Sequence, residues 1–184
     1  MRYKIIEIEN LVDIQQEIIT NLDNIVRATY TKFHILDHNN LQGYCPSLIE
    51  FLKIHGLYER WKFSFMSILN PDRNRIDIHR DNGFYYVLNI PILNCDNSFT
   101  VYYESKKGKK PKITIYDDPF SNIKQIYQQF DGNDVIEVDR YETNQPAFMN
   151  VGYIHTGISY NKNRRMLLSV RFSPKLSDSD ISKF

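Results

Sequence analysis

Asp77-Ile78-His79-Arg80-Asp81 is the stretch on which the reading of this chain turns. It follows a turn signal, Asn70-Pro71-Asp72, and closes an alternating run from Arg75 to His79, so it reads as a strand. On a strand, residues two apart project to one face. His79 and Asp81 therefore stand side by side, while Ile78 and Arg80 point away. Working outward, Lys62 to Leu69 reads as a strand before it. After it come a long apolar run, Phe84 to Leu93, and strands at Ser98–Tyr103, Val135–Arg140, Pro146–Val151, Tyr153–Ser159 and Arg165–Phe172. Lys106 to Lys112 is a basic loop with Gly108 and Pro111. Residues 113 to 131 read as a short strand and then a helix from Pro119 to Phe130.

Upstream the character differs. Tyr3 to Ile8 alternates like a short strand. Leu11, Ile14, Ile18, Leu22 and Val26 recur every three or four positions, which predicts one amphipathic helix, with Asn10 placed to cap it. Pro46-Ser47 opens a second helix that Gly56 stops. Residues 28 to 45 show no clean period. The order is helices first, then many short strands, which predicts a mainly β domain, a sandwich or barrel with N-terminal helices on one face. The expected organisation is a single domain over 1–184: a helical support region at 1–60, a β core at 61–173 and a flexible tail at 174–184.

The 184 residues suffice for one core without disulfides. Lys+Arg total 23 against 22 Asp+Glu, a formal net charge of +1, which argues against a general nucleic-acid binder. No apolar run approaches the roughly 20 residues of a membrane helix. The charged N-terminus is unlike a signal peptide. Two cysteines, Cys45 and Cys95, form neither a disulfide framework nor a CxxC pair. The chain thus reads as intracellular (cytoplasmic), with reduced thiols.

An imidazole and a carboxylate side by side are two ligands of the two-His-one-carboxylate facial triad of non-haem iron sites. The third would be a His from a later strand. Of the five histidines only His155 lies downstream of Asp81, in Asn150-Val151-Gly152-Tyr153-Ile154-His155-Thr156-Gly157. Glycine in a strand marks a bend or a close approach, as near a metal. Taken singly, His79 also suits a polar strand end, and His155 a satisfied buried histidine.

The block after His155 adds weight. Asn161-Lys162-Asn163 is a turn, and Arg164 to Phe172 is a strand. Arg165, Leu167, Ser169 and Arg171 share one face; Arg164, Met166, Leu168, Val170 and Phe172 share the other. An arginine facing a barrel interior is a buried charge that needs a partner, and a carboxylate suits the guanidinium fork best. The alternative is that Arg164 and Arg165 cap the turn in solvent.

In this order, His-x-Asp, a distant His, then an Arg about ten residues on, the sequence resembles the 2-oxoglutarate- and Fe(II)-dependent dioxygenases. Leu88-Asn89-Ile90-Pro91-Ile92 and Pro146-Ala147-Phe148-Met149-Asn150 are similar to runs in small aspartyl/asparaginyl- and prolyl-hydroxylase-like members, including those found in phages. The resemblance covers residues 60 to 173. It implies a double-stranded β-helix (jelly roll) preceded by helices, with Fe(II) held by His79, Asp81 and His155. It implies 2-oxoglutarate gripped by Arg165, and dioxygen at the last open metal position. Many members carry Arg-x-Ser at the co-substrate arginine; here the triplet is Arg165-Met166-Leu167. Ser169 two positions later, or Ser67 or Asn89 on neighbouring strands, would then supply the missing donor, with Arg171 as the fallback anchor.

The resemblance further implies a hydroxylase acting on a peptide side chain or a small amino-acid-like molecule, releasing succinate and CO2. Asn82-Gly83-Phe84-Tyr85-Tyr86 would wall the substrate pocket. A cupin-type metalloenzyme would gather more histidines. A non-enzymatic jelly-roll binding or structural protein would leave His79, Asp81 and His155 apart.

Overall fold

The computed structural model describes residues 1–30, 32–81, 86–117 and 124–184, with backbone alone at 116, 117, 124 and 125. In chain order the elements are β1 (Tyr3–Ile5), α1 (Leu11–Thr20), α2 (Leu22–Ile25), β2 (Val26–Thr29), β3 (Phe33–Leu36), α3 (His38–Tyr44), α4 (Pro46–Ile54), β4 (Trp61–Leu69), β5 (His79–Asp81), β6 (Tyr86–Leu93), β7 (Ser98–Ser105), β8 (Lys112–Asp117), β9 (Lys124–Gln129), β10 (Val135–Glu142), β11 (Ala147–Asn150), β12 (Ile154–Ser159), β13 (Arg165–Phe172) and α5 (Asp178–Ile181). Among the described residues the strands form two antiparallel sheets. One runs β1-β11-β6-β13-β4-β3-β2 and the other β10-β7-β12-β5-β9-β8.

Strand alternation divides the larger sheet into two faces. Met166, Leu168, Val170 and Phe172 of β13 join Met66 and Ile68 of β4, Leu88 and Ile90 of β6, and the helical residues Ile14, Ile18, Leu48 and Leu52 in one apolar cluster. The opposite face looks into the space between the sheets. There Val87, Ala147 and Met149 of the larger sheet meet Tyr102 and Tyr141 of the smaller. The two arginines of β13, Arg165 and Arg171, lie on this inner face and are buried. Wall-to-wall packing outside and polar groups inside place the chemistry between the sheets.

Several expectations give way. The single helix to Val26 breaks at Asn21, whose backbone N–H and side chain both donate to the Glu17 carbonyl, and Val26 begins β2 instead. Asn10 sits at the start of α1 but caps nothing; its side chain donates across to the Ser47 carbonyl. The support region also carries strands, and β2 and β3 extend the larger sheet beyond β4. The helix expected from Pro119 is a strand over its described part, Lys124–Gln129, which pairs with β5 and β8. Pairing to a free sheet edge overrides the weak helical preference of its Lys and Gln residues.

The tail is packed, not frayed. Leu176 and Ile181 are fully buried, and Ser177 and Asp180 form a capping box at α5. Both cysteines are free and buried, and burial pushes the Cys45 thiol up to about 12, with Glu17 adding to the effect. Among the described residues no helix is long and apolar enough to cross a membrane.

Candidate metal centre

β5 and β12 are paired so that His79 lies directly opposite His155. Register partners point to the same face, so both imidazoles enter the space between the sheets, with ring centroids 4.3 Å apart. Asp81, two residues along β5, projects the same way. One ligand atom from each of His79, Asp81 and His155 lies within 4.8 Å of the others. The three residues that the sequence singles out are thus brought together, which the structural-protein alternative does not expect.

The donors are oriented by the backbone. Nδ1 of His79 lies 2.7 Å from the Asp77 carbonyl, and Nδ1 of His155 lies 2.8 Å from the Tyr153 carbonyl. A carbonyl only accepts, so each Nδ1 carries the proton and each Nε2 presents a lone pair. Nε2 of His79 lies 3.5 Å from Oδ1 of Asp81. Oδ2 of Asp81 accepts a 2.9 Å hydrogen bond from Nη1 of Arg171, whose guanidinium lies over the Phe65 ring at 4.9 Å. Arg171 is therefore engaged with the triad carboxylate and holds one of its oxygens away from the imidazoles.

Burial favours a protonated Asp81, but the Arg171 guanidinium and the two imidazoles outweigh it and hold the carboxyl at about 2. Burial, reinforced by His79, pushes His155 down to about 3. At neutral pH these two groups are thus a carboxylate and a neutral imidazole. Two imidazole nitrogens and one carboxylate on one side fit a divalent iron site with open positions. The other histidines lie elsewhere. His34 hydrogen-bonds Thr29, His38 stacks on Trp61, and His55 sits between Phe51 and Phe184. That arrangement differs from the larger histidine set of a cupin-type site.

A pH dependence follows for the metal-free protein. His155 gains a proton near 6.5 when unfolded but near about 3 when folded. Asp81 does so near about 3.9 when unfolded and about 2 when folded. In both windows the unfolded chain holds more protons, so stability falls with pH, from about 6.5 downward for His155 and from about 3.9 downward for Asp81. Urea unfolding between about pH 7 and about pH 4 is expected to show this loss, with His155 adding at most about 1.4 kcal/mol per pH unit. His155→Gln is expected to flatten the profile; an unchanged profile would show that His155 is not held neutral.

Arg165 stands at the start of β13, opposite Leu69 of β4, and is 1% exposed. Its Nη1 donates to Ser67 Oγ at 3.1 Å, while its Nε, also buried, has no hydrogen-bond partner among the described residues. No carboxylate pairs with it among the described residues, and burial works against its charge. The solvent-turn alternative thus does not hold for Arg165. Asn89 and Ser169 lie opposite each other on β6 and β13, on the same inner face, and both are buried. The hydrogen bond to Arg165 comes from Ser67 rather than Ser169; Asn89 Nδ2 lies 3.3 Å from the Met149 sulfur.

Two features escaped the sequence. Tyr141 of β10 is 4% exposed and its hydroxyl has no hydrogen-bond partner among the described residues. Nothing in its local pattern distinguishes it from the other tyrosines. The pairing of Arg171 with Asp81 spans 90 positions in sequence and has no local signal either. The close approach at Gly157 is to the Ile76 side chain, which would lie 3.1 Å from an added Cβ, and not to the metal site. In the basic loop, Lys109 pairs with Asp134 at 2.8 Å and Lys106 donates to the Asn133 carbonyl. Of the expected pocket wall, residues 82–85 lie outside the described residues, and Tyr86 turns to the helical side, donating to Asp178 and the Met1 carbonyl.

No protein-family model matches the sequence, and no curated protein matches it. Solved structures do. The non-heme alpha-ketoglutarate-dependent carbocyclase SnoK from nogalamycin biosynthesis aligns over 99% of this chain and 86% of its own, at 12% identity and a TM-score of 0.52. AviO1 from Streptomyces viridochromogenes Tue57 aligns over 93% of this chain and 89% of its own, at 10% identity and a TM-score of 0.50. YcfD of E. coli aligns at 14% identity and a TM-score of 0.44 over 82% of this chain, which spans 36% of that longer protein. The chain therefore shares its fold with SnoK and AviO1.

Proposed function

We propose that this protein is an Fe(II)- and 2-oxoglutarate-dependent dioxygenase. It hydroxylates a C–H bond of a peptide side chain or a small amino-acid-like substrate, consuming dioxygen and releasing succinate and CO2. The two sheets are then the walls of a double-stranded β-helix over 61–173, in a single domain supported by the N-terminal segment. The observation that carries the reading is Arg165. A triad alone suits several metal chemistries, but a buried guanidinium with a free N–H and no carboxylate of its own calls for an anionic ligand.

His79, Asp81 and His155 would hold the iron. When bound, the iron and 2-oxoglutarate supply the oxidising power that breaks a C–H bond. The chain's own residues do the positioning. The Asp77 and Tyr153 carbonyls fix the imidazole tautomers, and Arg171 keeps Asp81 ionised and singly available. Arg165, steadied by Ser67, grips the distal carboxylate, with Asn89 and Ser169 lining the same inner face. Arg165 is the anchor in this account; Arg171 serves Asp81 instead.

Aerobic incubation with Fe(II) and 2-oxoglutarate is expected to yield succinate that Arg165→Met does not produce. Succinate at the level of the metal-free control in wild type would count against the reading.

A further inference from the structure

We propose that a groove on the outer face of the larger sheet, beside the turns at residues 70–73 and 161–164, is a second ligand site, where Arg73 and Arg164 hold the phosphate group of a small phosphorylated molecule. The inference does not depend on the dioxygenase reading, because the groove and the triad lie on opposite sides of that sheet.

The faces follow from register. His34 of β3 is opposite Met66 of β4, and Met166 of β13 is opposite Ile68. Met66, Ile68 and Met166 belong to the apolar cluster on the helical side. Thr29, opposite His34, shares that side, while alternation turns Ser67 and Arg165 inward. At this corner the outer face carries a groove of about 540 Å³, a size that suits a small molecule. Ile68, 4% exposed, is its apolar floor.

Polar groups from separate segments rim the groove. Tyr30 follows β2, His34 belongs to β3, Asn70 and Arg73 follow β4, and Arg164 directly precedes β13. Each arginine is placed by a tight turn. The Arg73 N–H donates to the Asn70 carbonyl at 2.9 Å, and just before Arg164 the Asn163 N–H donates to Asn161 Oδ1 at 2.9 Å.

The charge at this corner is one-sided. Among the described residues no carboxylate lines the groove. Arg164 forms no ion pair among them, and its carbonyl accepts from Asn94. Arg73 meets Asp72 at 4.0 Å, with both side chains more than half exposed, a contact that solvent screens. His34 is not a third cation: burial, reinforced by the Arg164 charge, lowers its pKa, and Thr29 Oγ1 lies 3.0 Å from its Nδ1.

Two guanidiniums from separate turns, with neutral polar groups between them, call for one anion that can serve both. A carboxylate fills a single fork. A phosphate offers three terminal oxygens and nearly two charges. The near-neutral balance of the chain and the isolation of these two charges favour a small molecule over a nucleic-acid backbone, which needs a basic stripe.

Binding is followed by calorimetry and amide NMR on the full-length chain, with and without Fe(II). The probes are inorganic phosphate, a nucleoside monophosphate, acetate and a short single-stranded oligonucleotide. Phosphate and the monophosphate are expected to bind wild type and to shift amides flanking the groove, with an affinity that Fe(II) leaves unchanged. Arg73→Ala and Arg164→Ala should each weaken both probes roughly 10-fold or more. Arg164→Lys, which keeps the charge and loses the fork, should weaken them less. Lys107→Ala, at an exposed cation in the loop after β7, should change nothing.

A folded wild-type protein that binds no phosphate overturns the inference. So does an equal loss in Lys107→Ala and Arg164→Ala, which would mark general surface charge. Acetate bound as tightly as phosphate would remove phosphate as the ligand. An oligonucleotide bound more tightly than the monophosphate would assign the groove to nucleic acid instead. Phosphate binding that appears only with Fe(II) would place the anion at the metal centre and overturn the second site.

Discussion

His155→Ala is expected to lose Fe(II) affinity by at least roughly 100-fold, because weakening a residue behind a metal ligand already costs roughly 10- to 100-fold. The reason is geometric. His155 faces His79 across one β pairing, and its Nδ1 is tied to the Tyr153 carbonyl, so its Nε2 is held toward the other two ligands. Competition with a chromophoric chelator would measure the loss. The same substitution removes a fully desolvated ring, so the thermal midpoint must be followed beside it. Wild-type iron affinity in a folded His155→Ala protein would remove this histidine from the ligand set.

Arg165→Met is expected to act on binding and stability in opposite directions. Losing one member of a buried, hydrogen-bonded charge pair costs about 2–5 kcal/mol, so 2-oxoglutarate should bind roughly 30- to several-thousand-fold more weakly. Without ligand the arginine is a buried cation whose described partner is a neutral hydroxyl, Ser67. Replacing such a charge with an apolar side chain of similar length removes a desolvation cost. The unliganded variant should therefore unfold at higher urea concentration than wild type. A structural arginine behaves in the reverse way: its loss destabilises the free protein and leaves binding intact. Titration calorimetry and urea unfolding on one preparation separate the two cases.

The readable parts of the chain were those whose signal is local. The alternation at His79 and Asp81 and along Arg165 to Phe172 shows directly which side chains share a face, and the faces in the structure agree. The apolar stripe of Ile14 and Ile18 likewise marks a buried helical side. What was missed depends on pairing between distant segments. β9 is a strand because β5 and β8 offer it edges, not because Lys124–Gln129 favours one. β2 and β3 lie in a stretch without period and are strands because they complete the edge of the larger sheet. The tail looks polar in sequence, yet Leu176 and Ile181 dock into the helical cluster. At the site, the triad was legible because two of its members are two residues apart. The Arg171–Asp81 bond was not, because it joins elements that only the fold brings together.

The central claim is that the triad holds iron that takes 2-oxoglutarate beside it. The most direct test is visible absorption of the oxygen-free protein on addition of Fe(II) and then 2-oxoglutarate. A new charge-transfer band is expected that needs both additions and is lost in His155→Ala. A folded, iron-bound wild-type protein that shows no band with saturating 2-oxoglutarate would contradict it.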